Sequence, residues 1–319
     1  MSRDQGLKVL EDTRRPGLIA LKEVAGLEGK PVSYRDVVFR LAPRLNAAGR
    51  LGQARGALEL LLNDDLAQAR VQARYLHELN RERQALEEKV LKQAATLVRQ
   101  QGLDQRPVMV LAREGWHPGV IGIVAARLAE EHHRPVAMVS LEDGVGKGSA
   151  RSIEGFHLYQ GLHACRAVLT KYGGHQAAAG FVVAAENIAA LQESLELAFQ
   201  EQLGPEPPRP VLRVDAQVGL AELDQVFFQH LEQLRPFGPG NPEPVFSCAG
   251  VECVNSRVVG ERHLKVHLAQ SGCVREAIAF NQAPHGLPDG PLEVAFSARL
   301  SHFQGRNHPE FRLLDWRKG

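Results

Sequence analysis

The sequence lacks the cysteine patterns that mark a zinc site or a disulfide framework. Its four cysteines form no CxxC pair and have no clustered histidine partner: Cys165, Cys248, Cys253 and Cys273. Structural zinc sites and small disulfide-rich domains both depend on closely spaced cysteines. We therefore expect four buried or incidental thiols and no zinc site.

Long hydrophobic runs and an excess of charge of one sign are also missing. No run approaches the roughly 18 apolar residues needed to span a bilayer, and no apolar segment follows Met-Ser-Arg-Asp as it would in a secretory signal. We expect a cytoplasmic protein with no membrane partner. Lys and Arg number 38 against 37 Asp and Glu, so any contact with nucleic acid must come from local basic groups.

With 319 residues, 44% of them hydrophobic and 24% charged, the chain has room for two or three globular domains. Residues 1–62 open with a short amphipathic helical pattern and are too few to fold alone. A helical pattern that no Gly or Pro interrupts runs from Asn63, the expected N-cap, to about Gln101, with Asp64 and Asp65 in its first turn. At about 1.5 Å per residue, a helix over 63–102 would span about 50 Å, which suits a connector between domains.

The pattern of that helix predicts which side chains it buries. An apolar stripe runs along Leu76, Leu79, Leu86, Val90 and Leu97. The charged residues are expected to be solvated: Arg81, Arg83, Glu87, Glu88 and Lys92.

Residues 103–203 alternate between strand and helix signals. Strands are predicted at 107–112 and 135–140 on either side of a helix at 120–131, which indicates a βαβ unit with a mainly parallel sheet. A glycine-rich turn at 143–148 and helices at 158–169 and 185–203 complete an α/β domain.

Residues 204–319 begin with a proline-rich linker over 204–210. One helix follows, at 220–234, and then short alternating strands at 245–246, 251–254, 264–268, 277–280, 294–300 and 311–314. This order predicts a small closed β-barrel of the OB type.

Four segments combine small residues with polar or basic side chains, as a phosphodiester-binding site requires. Their candidate phosphate- or DNA-binding residues are Arg44, Asn46 and Arg50; His117, in a strand-to-helix turn; Lys147, Ser149, Arg151 and Ser152, in GKGSARS; and Gly173, Gly174 and His175, in a flexible turn before a small-residue helix. Each has a plain structural alternative. The arginines can be surface ion-pair formers, GKGSARS a polar loop without the spacing of a nucleotide-binding P-loop, and the histidine a core residue.

The same segments carry a family resemblance. RPGLIALKEVAG, RLAPRLNAAGRL, WHPGVIGIVAARL, GKGSARSIEGF, KYGGHQAAAG, RPFGPGNPEPVF and VGERHLKVHL occur in the order found in the RecJ exonucleases of the DHH phosphoesterase superfamily. The chain resembles the carboxy-terminal part of that family: a remnant of the DHH domain (1–62), a connector helix (63–102), a DHH-associated α/β domain (103–203) and an OB domain (204–319).

This resemblance implies a function. It places phosphate-binding roles on Arg44, Asn46, Arg50, Lys147, Ser149, Arg151 and His175. It implies a single-stranded-DNA-specific 5′→3′ exonuclease of DNA repair and recombination, whose complete form uses manganese or magnesium. It also implies single-stranded DNA as substrate, with a single-strand-binding protein and a helicase as partners.

Two departures from the family pattern change the expected activity. Ala150 replaces the middle glycine of the usual GSGRS, which would constrain that turn if a positive φ were needed. No DxD or DHH motif is present. His132-His133 lies at the end of a predicted helix, so we do not interpret this pair as a degenerate DHH motif. We therefore assign no catalytic residue and no metal ligand, and we expect the chain alone to bind DNA without cutting it.

Three interpretations follow. The chain is the binding part of a RecJ-like exonuclease, as a truncated product, a split gene or a fragment; or it is a free-standing, non-catalytic module that binds single-stranded nucleic acid. The third, a different DHH phosphoesterase or an editing-type domain, is disfavoured by the OB segment.

Overall fold

A computed structural model describes residues 3–283, 286–303 and 306–319. Residues 1–2 of the first predicted domain, and 284–285 and 304–305 of the last, lie outside the described residues. The chain divides into two compact units, Met1–Pro210 and Val211–Gly319.

The first unit contains nine helices and five strands among its described residues. The helices are α1 (Arg3–Glu11), α2 (Pro16–Val24), α3 (Tyr34–Asp36), α4 (Ala42–Leu51), α5 (Arg55–Leu62), α6 (Leu66–Gln101), α7 (Pro118–His132), α8 (Leu158–Ala164) and α9 (Ile188–Leu203). The strands are β1 (Met109–Glu114), β2 (Val136–Glu142), β3 (Val145–Arg151), β4 (Leu169–Gly174) and β5 (Ala178–Ala184). A π-helical turn over Val37–Leu41 leads into α4, and short 3-10 turns lie at Leu103–Gln105, Arg166–Val168 and Ala185–Asn187.

The long predicted helix is present as α6, but its cap differs. Asp65, not Asn63, is the N-cap: its Oδ1 accepts hydrogen bonds from Ala67 N at 2.7 Å and Gln68 N at 3.0 Å. The stripe is present in part: Leu76 and Val90 are buried, whereas Leu79, Leu86 and Leu97 are half-buried.

Two side chains of α6 predicted to be solvated are instead enclosed. Glu87 is 2% exposed because its carboxylate pairs with Arg83 at 2.5 Å and with Arg127 of α7 at 2.7 Å. The side chain of Arg83 is 12% exposed. The helical pattern could not reveal this, since α7 supplies the partner.

The sheet of the first unit is mixed, and the expectation of a mainly parallel sheet was wrong. Its strand order is β1-β2-β3-β5-β4. Only β1 and β2 pair in parallel, across α7; the pairs β2–β3, β3–β5 and β5–β4 are antiparallel. The change follows from a tight turn at Asp143 and Gly144, both at positive φ, which sends the chain straight back alongside β2.

Two glycine-containing segments read from the sequence as a turn and a helix are strands. GKGSAR lies within β3, and the small-residue run after His175 enters β5. In both, alternating side chains meet different environments on the two faces of the sheet, and that tertiary setting outweighs the intrinsic preference of Gly for turns and of Ala for helix. Ala150 has extended backbone and is fully buried, so the turn constraint considered for it does not arise.

Helices cover the two faces of this sheet unequally. One face packs against α6 and α7 through Met109, Leu111, Val136 and Met138. The other packs against α8 and α9 along its whole width, including Ala150, Ala179, Phe181 and Val183. On the α7 side, β5 and β4 present half-buried or exposed residues.

The second unit is a five-stranded closed barrel of the OB type. Its elements are β6 (Ala216–Gln217), α10 (Gln225–Gln233), β7 (Val245–Val259), β8 (His263–Gln270), β9 (Cys273–Ala279), β10 (Leu292–Phe303) and β11 (Arg306–Lys318), with a 3-10 turn at Leu220–Glu222. The strands follow β7-β8-β9-β11-β10, and a β10–β7 pairing closes the barrel. The two short strands predicted at 245–246 and 251–254 are parts of β7, and the predicted helix 220–234 is shorter.

The barrel interior follows the predicted alternation of β8. Leu264, Val266 and Leu268 are each at most 4% exposed, while Lys265 points outward and pairs with Glu276 at 2.7 Å.

Two further observations concern the cysteines and the helices. All four cysteines are free thiols, and burial raises the pKa of Cys165 to about 12. Within the described residues, no helix is long and apolar enough to cross a membrane.

Candidate nucleic-acid interface

Strand β3 separates small residues from polar ones by simple alternation. Gly146, Gly148 and Ala150 point toward α8 and α9, where a Cβ built on Gly148 would lie 2.2 Å from the Phe181 ring. Lys147, Ser149 and Arg151 lie at the intervening positions and therefore on the α7 side. The GKGSAR sequence thus places three polar side chains on one face and leaves room for an aromatic ring on the other.

Strand pairing extends this face in three rows across β5. Lys147 and Lys171 both pair with Val182. Ser149 and Gly173 both pair with Gly180, and Arg151 pairs with Ala178. Directly opposed residues of antiparallel strands share a face, and two strand spacings make each of the first two rows about 10 Å wide.

We call this surface the basic strand face and define it by six residues: Lys147, Ser149, Arg151, Lys171, Gly173 and Gly180. Lys147, Lys171, Gly173 and Gly180 are exposed, and a Cβ on Gly180 would have only Gly148 O within 4 Å, at 3.7 Å. Glycine at the centre of a strand face leaves room for close approach of another backbone. Three cations that surround exposed glycines on one strand face suit the binding of a phosphodiester backbone.

Arg151 is held in place by its own strand. Its Nη1 donates to Ala150 O at 2.8 Å and to Ser149 Oγ at 3.2 Å. Burial, and secondly the charge of Arg50, lower the pKa of Arg151 below its ordinary value. Both effects disfavour the charged guanidinium, and a nearby anion would act in the opposite direction by stabilising that charge.

Arg50 reaches the same region from α4. Its Nη1 donates to Gly119 O at 3.2 Å, and a Cβ on Gly119 would lie 2.2 Å from Arg50 O, so only glycine permits this approach of α7. Within the described residues, no carboxylate pairs with Arg50, Lys147, Arg151 or Lys171. Unpaired cations at one site favour an anionic ligand.

The first candidate segment forms helix α4, which separates its three polar residues. Asn46 is exposed and lies one turn before Arg50, on the same face. Arg44 lies on the other side of the helix, where its guanidinium contacts Arg40 O, Val24 O at 3.3 Å and His77 Nδ1 at 3.1 Å. Arg44 therefore ties helices together in this structure, and the structure does not bring it to the basic strand face.

His117 caps helix α7, as the predicted strand-to-helix turn requires. Its Nδ1 accepts a hydrogen bond from Gly119 N at 3.0 Å, which leaves the Nε2 side of the ring to carry the proton in the neutral form. Trp116 beside it is buried in the core and donates from Nε1 to Gln93 Oε1 at 2.9 Å. The first helical amide of this turn is thus already capped by the protein.

The GGH segment ends β4 at the same edge as Arg151. Gly174 has φ 152°, and a Cβ there would lie 2.5 Å from Ala178 O, so the turn requires glycine. His175 is exposed, and its N–H donates to Ala178 O at 2.9 Å. The Ser152 hydroxyl instead donates to Phe156 O at 2.7 Å and stabilises the loop after β3.

Sequence reasoning did not select Lys171 and Gly180 as site residues. Lys171 stands before the Tyr-Gly-Gly signal and Gly180 ends the AAAG run. Both could be found only once β4 and β5 were recognised as strands, because their register with β3 brings them to this face.

A metal site needs several carboxylate, imidazole or thiolate ligands around one point. In the part of the chain that the structure describes, no group of three or more His, Cys, Asp or Glu could hold a metal ion. His132 ends α7 and His133 follows in a left-handed conformation. The described side chains therefore do not fit a two-metal centre.

Comparisons with known proteins agree with this architecture. Residues 105–201 match the DHHA1 domain, and residues 214–315 match the RecJ OB domain. The chain therefore contains a DHHA1 domain and an OB domain of the RecJ type.

Curated relatives share the RecJ name. The chain is 34% identical to the single-stranded-DNA-specific exonuclease RecJ of Bacillus subtilis over 97% of its own length and 40% of the relative's. It is 38% identical to the RecJ of Thermus thermophilus over 98% of its own length and 44% of the relative's. The crystal structure of RecJ in complex with Mn2+ from Thermus thermophilus superimposes with a TM-score of 0.84 at 36% identity, covering 99% of this chain and 46% of that chain. The chain thus spans less than half of these RecJ proteins.

Proposed function

We propose that this chain is the carboxy-terminal, substrate-binding part of a RecJ-like 5′→3′ single-stranded-DNA exonuclease that acts in DNA repair and recombination. The observation that carries the proposal is the basic strand face, where Lys147, Arg151 and Lys171 surround glycines and have no acidic partners among the described residues. A DNA substrate also implies a cytoplasmic location, which belongs to the same proposal.

Phosphate contacts are assigned to two groups of side chains. Arg151 would give a bidentate, charge-assisted contact to one phosphate, with Ser149 as a neighbouring donor. Lys147, Lys171 and Arg50 would neutralise the adjoining backbone, and Asn46 and His175 would donate single hydrogen bonds. The exposed glycines would let the sugar-phosphate chain approach the strand backbones.

The OB barrel supports a second contact surface for single-stranded DNA. The guanidinium carbon of Arg312 lies 5.5 Å from the ring centroid of Phe280, which is 39% exposed. An aromatic ring with a cation beside it is typical of sequence-tolerant binding to unpaired bases.

Cleavage is assigned to groups outside this chain. RecJ of Thermus thermophilus has been crystallised with Mn2+ and with Mg2+, and two-metal hydrolysis needs a set of carboxylates around paired ions. The described residues supply no such set. A single-strand-binding protein and a helicase remain predicted partners by family resemblance.

A nuclease assay tests the assignment. The purified chain, incubated with a 5′-phosphorylated single strand and manganese or magnesium, should release no nucleotides. The same strand should be degraded when a metal-bearing RecJ protein is added as a positive control. Chelator-sensitive release of nucleotides by the chain alone would contradict the proposal.

A further inference from the structure

Three aromatic rings cluster on the side of edge strand β4 that faces α8. Tyr159 and His163 of α8 lie with ring centroids 6.5 Å apart and planes inclined by 22°. Tyr172 of β4 lies 6.0 Å from Tyr159 and 6.1 Å from His163. We call these three residues the aromatic cluster.

The fold fixes the cluster at this place. Tyr159 and His163 are one turn apart on α8, whose Leu158 and Leu162 are buried in the core. The Tyr172 hydroxyl and His163 Nδ1 form a hydrogen bond of 2.8 Å. The rings are therefore held in defined positions before any ligand arrives.

Two of the three rings are exposed, whereas Tyr172 is half-buried and packs against the core. Tyr159 is 40% exposed and His163 is exposed. One cation lies near the cluster: Arg166, whose Nη1 donates to His163 O at 3.3 Å. Exposed aromatic rings near a cation suit the flat face of an unpaired base.

The aromatic cluster and the basic strand face lie on opposite sides of the same strand, β4. Because side chains alternate, Lys171 lies on the basic strand face and Tyr172 on the opposite side of β4. Strand β4 ends the sheet order, so no further strand separates the two sides. The turn after His175 joins them, since Leu158 N donates to Gln176 O at 3.0 Å.

We propose that Tyr159, His163 and Tyr172 form a stacking platform for one unpaired base of the strand whose phosphates contact the basic strand face. The inference rests on the proposed function and adds a base-binding subsite to it. The strand would pass over the edge of β4, with its backbone beside Lys171 and a base against the exposed ring of Tyr159.

Stacking on this platform requires a base that has left its helix. In a duplex both faces of each base are covered by neighbouring base pairs, whereas a splayed base has a free π-face. The platform would therefore favour single strands and tolerate all four bases.

A fluorescent-base scan tests the subsite on the full chain. Single-stranded oligonucleotides carry 2-aminopurine at successive positions, and fluorescence quenching is recorded on binding. We expect strong quenching at one position, lost in Tyr159→Ala and kept in Tyr159→Phe, which retains the ring. The affinity of Tyr159→Ala should fall about fivefold or more, the lower limit for loss of one base–aromatic stack.

An abasic nucleotide at the quenched position, combined with Tyr159→Ala, gives a double-mutant cycle between the base and the ring. It removes the base and keeps the phosphates, so it should weaken binding by the wild-type chain as much as Tyr159→Ala does. The two changes together should cost no more than either alone. Tyr75→Ala, which removes a 58% exposed tyrosine of α6 outside the cluster, should match wild type.

The outcomes separate the two proposals. Salt-dependent binding of single strands with no position quenched, or with quenching unaffected by Tyr159→Ala, overturns the stacking platform and leaves the phosphate site standing. Failure of the chain to bind single strands at all overturns both. Because Tyr159 is on the surface, an unchanged melting temperature will show that Tyr159→Ala remains folded.

Discussion

Arg151 and His175 lie on either side of the same residue of β5. Arg151 pairs with Ala178 across the β3–β5 ladder, and His175 N–H donates to Ala178 O at 2.9 Å. Strands β3 and β4 both run antiparallel to β5, so they run in the same direction and end at the same edge. The structure thus brings together the backbones of two residues that are 24 positions apart.

The first prediction concerns His175. In this chain, His175→Ala should weaken DNA binding less than loss of Arg151, because an imidazole supplies one hydrogen bond. In a protein that also carries the metal-bearing half, it should lower kcat by about two orders of magnitude and change KM much less, if its contact tightens as charge develops on the cleaved phosphate.

Steady-state kinetics on the complete enzyme provide the measurement. His230→Ala, at an exposed histidine of the second unit, is the matched control. Unchanged turnover in the His175→Ala enzyme would remove His175 from the site.

A pair of glycines tests the two faces of the sheet. Gly148→Ala should lower the free energy of unfolding of the first unit by about 1–3 kcal/mol, because the new Cβ would lie 2.2 Å from the Phe181 ring. Gly180→Ala, on the basic strand face, meets nothing closer than 3.7 Å and should leave stability unchanged or slightly raised. Chemical denaturation followed by circular dichroism measures both; equal stability of the two variants would contradict the assigned faces.

Two adjacent glutamates of α6 test the buried ion pair. Glu87→Ala should cost about 3 kcal/mol of stability or more, because it leaves the nearly buried Arg83 without its carboxylate. Glu88→Ala removes an exposed pair with Lys92 and should cost less than about 1 kcal/mol. Thermal and urea unfolding of the two variants give the comparison, and a cost for Glu87→Ala as small as that for Glu88→Ala would show that the pair is solvated.

Strong local signals made much of the fold predictable. Helix α6 has no Gly or Pro between its capping Asp65 and Gly102, and Leu264, Val266 and Leu268 alternate as barrel residues must. The OB barrel and the α/β domain follow from such patterns together with the family resemblance.

The sequence could not predict the strand directions in the first sheet or the roles of several single residues, because both depend on tertiary contacts. Gly146 and Gly148 favour a turn locally. They lie in a strand because Val139 and Val183 pack against Gly146 and the ring of Phe181 packs against Gly148. Arg44 and Arg50 look equivalent until the segment is known to be a helix, which sends them to different sides. Lys171 and Lys147 lie in one row because both pair with Val182. Their spacing in the sequence does not predict this.

The central claim is that the basic strand face holds the backbone of single-stranded DNA through Arg151. The most direct measurement is fluorescence anisotropy of a labelled, 5′-phosphorylated single strand titrated with wild type, Arg151→Ala and Arg81→Ala at several salt concentrations. Arg81 is a matched control because it is an exposed arginine of α6 that pairs with Glu78.

Wild type and Arg81→Ala should bind with an affinity that falls steeply with salt and should prefer single strands to duplex. Arg151→Ala should lose about 1.5–3 kcal/mol of binding, roughly 10- to 150-fold, and its salt slope should be smaller by about 0.7, the value for one phosphate contact in a single strand. Binding that does not change with salt, equal preference for duplex, or an Arg151→Ala curve that matches wild type would contradict the account.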